Sequence, residues 1–252
     1  MKYLRFEDKD KIEKYGVLEG ELIREIDWDL FGDYIPTEVT YDIDIVKILP
    51  PCTPTKIVCV GLNYRDHAEE MKSNIPEDPR LFIKPNTAII GHEDIIVYPD
   101  HMSSRVDYEG ELAVVMGKRA KSVNIDEALE YVFGYTCLND ITARDLTTKD
   151  IQYTRGKGFD TFAPFGPFIE TELDPSNLHI ATYLNGEIKQ SSNTSKLIFN
   201  VSKLVSFISN VMTLLPGDII STGTPSGIGP MKKSDTVEIH IEGIGILRNY
   251  IG

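Results

Sequence analysis

Nowhere among its 252 residues does the sequence hold an apolar run approaching the roughly 18 needed to cross a bilayer, which argues against a membrane span. The opening MKYLRFEDKD is charged from the start and has no apolar core of a secretory signal. Cysteine is scarce: Cys52, Cys59 and Cys137 are an odd number with no CxxC pair. That argues against a disulfide framework and a zinc site, and it fits a reducing cytosol. Cys59 and Cys137 lie among apolar neighbours, the setting of small core residues rather than of nucleophiles. Positive charge is short as well. Against 39 Asp and Glu stand 26 Lys and Arg, a net charge of −13, which leaves little basic surface for nucleic acid. The same deficit means that an anionic substrate needs a local positive centre to hold it. The expectation is a cytoplasmic protein with a small-molecule partner and neither nucleic acid nor membrane.

A hydrophobic fraction of 41% and a charged fraction of 26% are ordinary for a folded domain. The length suits one main core with a small appendage. Residues 1–51 read as a small β-rich unit: YGVLEGELIREI alternates around Glu19-Gly20 as a hairpin does, and Pro50-Pro51 reads as a linker. Residues 52–252 read as the main domain. There, short apolar stretches bounded by Gly or Pro follow one another: KIVCVGL, TAIIG, IIVYP, ELAVVMG, FGPFIE and DTVEIHIEGIG. Helices are predicted only at residues 63–73, Ile125–Val132 and Ser202–Met212. The fold class is mainly β, with a few surface helices (α+β).

Three groups of residues suggest chemistry. In VDYEGELAVV, Glu109 and Glu111 are two apart on a predicted strand, so their side chains leave one face beside a buried stretch. Held about 4 Å apart at an effective dielectric near 20, they repel by on the order of 4 kcal/mol, a cost that a divalent cation would remove. Two solvated glutamates on a sheet edge explain the pair as well. A third acid, Asp140 in GYTCLND, shifts the balance, because an all-oxygen set suits Mg²⁺ or Mn²⁺. In GLNYRDHAEE, His67 and Glu70 are three apart on a helix, where the carboxylate can orient an imidazole that activates water. An exposed ion pair explains them equally. Lys157 is expected in a Gly-rich loop before a strand, where a solvated lysine is the ordinary case. STGTPSGIG offers backbone N–H groups for an anion or is simply a Gly/Pro connection, and it lacks a P-loop lysine.

Taken in order, VGLNYRDHAEE, FIKP, DYEGELAVVMG, GYTCLNDITARDL, KGFDTFAPFGP, NGEIKQ, LLPGDIISTGTPSGIG and IEGIGILRN resemble the short form of the fumarylacetoacetate hydrolase superfamily over nearly all of residues 55–252. The resemblance implies a β-rich, mixed sandwich-like roll that pairs into homodimers, with Mg²⁺ or Mn²⁺ on Glu109, Glu111 and Asp140. It implies a water-activating dyad of His67 and Glu70 on a lid, Lys157 stabilising developing negative charge, and Lys84, Arg144 and Thr224 holding a small 2-keto acid. One departure stands out: after the TARD segment many relatives carry glutamine where this chain has Thr147, which puts transfer of substrate identity in doubt. The reaction expected is hydrolysis of a C–C bond in an acylpyruvate-type 2,4-diketo acid. Decarboxylation of oxaloacetate and isomerisation of 2-hydroxyhepta-2,4-diene-1,7-dioate use the same enolate. A non-catalytic keto-acid-binding protein is the rival of another class.

Overall fold

The computed structural model describes residues 1–27, 30–32 and 34–252. Strands dominate, as the short apolar stretches predict. The largest sheet runs, edge to edge, through Ile35–Asp42, Leu22–Asp27, Glu13–Glu19, Lys2–Glu7, Ala163–Glu170, Val132–Asn139, Gly110–Met116, Ile219–Ser221, Ile57–Gly61 and Arg80–Lys84. A five-stranded sheet runs through Glu187–Asn193, His179–Leu184, Thr236–Ile241, Gly245–Ile251 and Ile95–Ile96.

The strand Gly110–Met116 shows how the layers form. Its residues are all buried, and alternation sends them to two different cores. Leu112, Val114 and Met116 pack with Ile180, Val237 and Ile239 of the second sheet, while Ala113 and Val115 join Ile57, Leu138 and Phe165. The N-terminal hairpin turns at Gly20, whose φ of +68° is a conformation glycine adopts without strain. Its first strand continues the large sheet, with Lys2 opposite Glu170.

The helices differ in detail from expectation. Residues 63–73 contain only Arg65–Glu70, because Lys72 enters the left-handed region (φ 50°) and Ser73 N–H caps back onto Ala68 O at 3.0 Å. Ile125–Tyr131 is a 3₁₀ helix, and Val201–Val211 is an α-helix capped by Asn200. Two short helices, Arg144–Asp150 and Thr154–Lys157, were not foreseen. The second places Lys157 on a helical turn rather than in a loop. Among the described residues no helix is long and apolar enough to cross a membrane.

Candidate metal centre and cleft

The strand carrying Glu109 and Glu111 does not run straight. Val106–Tyr108 belongs to a third, three-stranded sheet, and the chain passes into the large sheet at Glu109. The neighbouring strand leaves at the same level: Asp140 N–H donates to Glu109 O (2.9 Å), and Glu109 N–H donates to Asn139 Oδ1 (2.9 Å). This shared corner brings the three acids together. Glu109, Glu111 and Asp140 are all buried and offer carboxylate oxygens within 4.8 Å of one another.

Cations surround two of the three. Lys157 Nζ donates to Glu109 Oε2 (2.8 Å) and to Asp140. Lys84 Nζ donates to Asp140 Oδ1 (2.6 Å) and Ile141 O (2.9 Å). Arg144 donates to Glu109 and, at 2.9 Å, to Asp107, which is itself fully buried and also held by Arg105 at 2.8 Å. Burial alone would raise the Glu109 carboxyl, but Lys157 and Arg144 overturn it and hold it down at about 2. For Lys157 burial works downward, yet Asp140 and Glu109 leave it above the usual lysine range. Lys84 is lowered by burial, which Asp140 only partly offsets.

Glu111 differs. Its hydrogen bonds come from Ser221 Oγ and Gly223 N–H, both to Oε2, and it has no ion pair among the described residues. Burial, then Asp140 and Glu109, pushes it up to about 8. A buried carboxylate short of a cation, beside two others, is the donor set of a hard divalent ion, and the three side chains fit Mg²⁺ or Mn²⁺.

A cleft of about 240 Å³ opens onto the acids and is lined by His67, Arg144, Lys157 and Thr224 among others. His67 Nδ1 lies 3.0 Å from Glu70 Oε2, and Glu70 Oε1 accepts Gly227 N–H at 3.0 Å. The helix is tied down a second time where Asp66 accepts from Ser192 Oγ (2.5 Å). His67 is buried and lines the same cleft as the acids, whereas Glu70, which orients it, is exposed. STGTPSGIG spends N–H groups on the protein's own anions, Glu111 and Glu70.

Of the residues expected to hold substrate, Arg144 and Thr224 line the cleft and Lys84 does not. Lys84 is fully buried, and its ammonium donates to Asp140 and to Ile141 O. Thr224 does line it, but its hydroxyl donates to Gly110 O (2.9 Å) and accepts from Gln190 Nε2 (2.8 Å). Thr147 also stays out of the cleft, donating to Arg144 O at 3.0 Å and packing against Gly156.

Gln190 and Asp107 were missed. Gln190 Oε1 accepts from Gly110 N–H (3.0 Å) and Thr182 Oγ (2.7 Å), while Nε2 also reaches Pro225 O (2.9 Å). One buried amide thus ties the glycine between the two glutamates to the Thr224 loop. The only sequence signal was a lone glutamine in NGEIKQ, a polar residue at an inward strand position. Gln190→Met is expected to weaken Mn²⁺ binding by about 10- to 100-fold, the usual range for a residue supporting metal ligands. Calorimetric titration checks it, and unchanged affinity would contradict the role.

The chain also matches known proteins along its length. Residues 56–252 match the family model "Fumarylacetoacetate (FAA) hydrolase C-terminal", and residues 1–51 match "Rv2993c-like, N-terminal". Oxaloacetate tautomerase YisK of Bacillus subtilis is 43% identical over 226 residues, covering 84% of this chain and 75% of that protein. The 5-carboxymethyl-2-hydroxymuconate delta-isomerase of Mycobacterium smegmatis superposes with a TM-score of 0.94 at 43% identity, covering 100% of this chain and 99% of that one. Maleylpyruvate hydrolase from Sphingobium sp. SYK-6, in complex with manganese(II) and pyruvate, superposes with a TM-score of 0.82 at 28% identity over 100% and 98% of the two chains. On these matches the chain belongs to the fumarylacetoacetate hydrolase family and is an enzyme of it.

Proposed function

We propose that this enzyme uses Mg²⁺ or Mn²⁺, on Glu109, Glu111 and Asp140, to interconvert the keto and enol forms of a small 2-keto acid. The observation that carries this reading is the His67–Glu70 pair, 3.0 Å apart, with His67 lining the cleft that also holds the three acids. With Glu70 accepting, Nδ1 carries the proton and Nε2 is left basic. His67 then takes a proton from the carbon next to the keto group and returns it to the oxygen, or the reverse. A bound divalent cation would polarise the keto oxygen and share its developing charge. Lys157 adds fixed positive charge at the same end of the cleft, and Arg144, steadied by Asp107, holds the carboxylate. Lys84 keeps Asp140 oriented rather than touching substrate.

Hydrolytic C–C cleavage of an acylpyruvate is the second reading, with His67 taking its proton from water. It is favoured by the likeness to a hydrolase structure holding pyruvate. Following oxaloacetate enol absorbance, and pyruvate release from acetylpyruvate, with Mg²⁺ and after chelation separates the two. Turnover unaffected by chelation, or none with either substrate, overturns the proposal.

A homodimer fits the exposed apolar group Ile83, Ile151, Tyr153 and Val211, of which Ile151 is 91% exposed. Ile151→Asp is expected to shift the mass found by light scattering from dimer to monomer, and a wild-type monomer would contradict the assembly.

A further inference from the structure

The cleft is graded in depth. Glu109, Glu111, Asp140 and Lys157 form a buried floor, while Met71, Ser73, Arg80 and Tyr153 are exposed at its mouth. Three Lys or Arg side chains line it. Arg144 and Lys157 are taken up by Asp107, Glu109 and Asp140. Arg80 pairs with no carboxylate among the described residues. It starts the strand Arg80–Lys84, opposite Gly61, so its backbone is fixed by the sheet. Phe82, two residues on, leaves the same face and forms the wall between floor and mouth: its ring lies 5.0 Å from Lys157 Nζ and 5.0 Å from the Tyr153 ring.

The charges point the same way. On and behind the floor, the acids Asp107, Glu109, Glu111 and Asp140 are matched in number by the cations Lys84, Arg105, Arg144 and Lys157. A divalent cation adds two positive charges there, and Arg80 adds one at the mouth. A monoanionic keto acid would leave that outer guanidinium unused, whereas a dianion engages both ends. In a chain of net charge −13, an unpaired guanidinium over a cleft is a local attractor for anions, and its planar fork suits a carboxylate.

We propose that Arg80 binds the distal carboxylate of a 2-keto dicarboxylate, and so sets the preference for such substrates over monoacids. This rests on the keto-acid reading above. The floor holds the 2-keto acid end, and Phe82 lines the short span to Arg80. Arg80 is a specificity residue and takes no part in the proton transfer.

Two unreactive ligands separate the ends. Oxamate carries only the oxalyl end, and N-oxalylglycine carries the same end plus a distal carboxylate. In calorimetric titration of the Mn²⁺-loaded protein, the wild type is expected to bind N-oxalylglycine at least 10-fold more tightly than oxamate. Arg80→Met is expected to remove that preference while changing oxamate affinity less than 3-fold, and Arg80→Glu to reverse it. Retained oxamate binding also shows that the variants are folded. A wild type without the preference, or a preference that survives Arg80→Met, overturns the role of Arg80. A wild type that binds neither ligand sinks the keto-acid reading itself.

Discussion

Replacing Glu111 with glutamine is expected to give a folded protein that binds Mn²⁺ at least 100-fold more weakly and turns over substrate roughly 1000-fold more slowly, about 4 kcal/mol of barrier. Gln can still accept from Ser221 and Gly223, so the local hydrogen bonds survive. Only the charge that a cation would meet is lost. The same variant has a pH signature. An unfolded Glu titrates near 4.5, whereas buried Glu111 titrates at about 8. Between these values the metal-free folded state holds a proton that the unfolded chain has released. Stability therefore falls as pH rises from about 4.5 to about 8, by on the order of a few kcal/mol. Glu111→Gln has no such proton, so its melting temperature should lack that slope. Thermal melts in chelator across this range check it. Equal slopes in both proteins would mean that Glu111 is not the strained carboxylate. Glu109→Gln behaves differently, because it strips a partner from both Lys157 and Arg144 and destabilises the fold at neutral pH.

His67→Gln is the second large effect. It is expected to lower kcat by about 10²- to 10⁴-fold, the usual contribution of a positioned general base. Mn²⁺ affinity should stay within a factor of three, since His67 is outside the acidic cluster. Glu70→Gln should fall in the same direction but less far, because it loosens the imidazole without removing it. Steady-state kinetics beside a metal titration separates the effects. If His67→Gln costs metal affinity instead of kcat, the imidazole is a ligand and the base lies elsewhere.

The acidic cluster was legible because each member sits at the end of an apolar strand, where an isolated carboxylate is costly. Spacing alone did not reveal that the strand breaks at Glu109. That break comes from pairing with two different sheets, a tertiary fact. Lys84 shows a different limit: FIKP marks a lysine at a strand end but not that its ammonium turns inward behind Asp140. For Thr224, the motif names the residue while its hydroxyl is claimed by Gly110 O and Gln190 from distant parts of the chain. Gln190 was invisible as a support because its four partners lie up to 80 positions away. The helix Arg144–Asp150 escaped because RDLTTKD has weak helical periodicity. It is held by Asp145, which accepts from Ser103 Oγ (2.6 Å) and Ser104 N–H (2.9 Å).

Anomalous diffraction at the manganese edge, from crystals soaked in Mn²⁺, tests the central claim most directly. One strong peak is expected in the corner, about 2.1–2.3 Å from a carboxylate oxygen of each of Glu109, Glu111 and Asp140. A clean map there, with Lys157 still bridging Glu109 and Asp140, would contradict it.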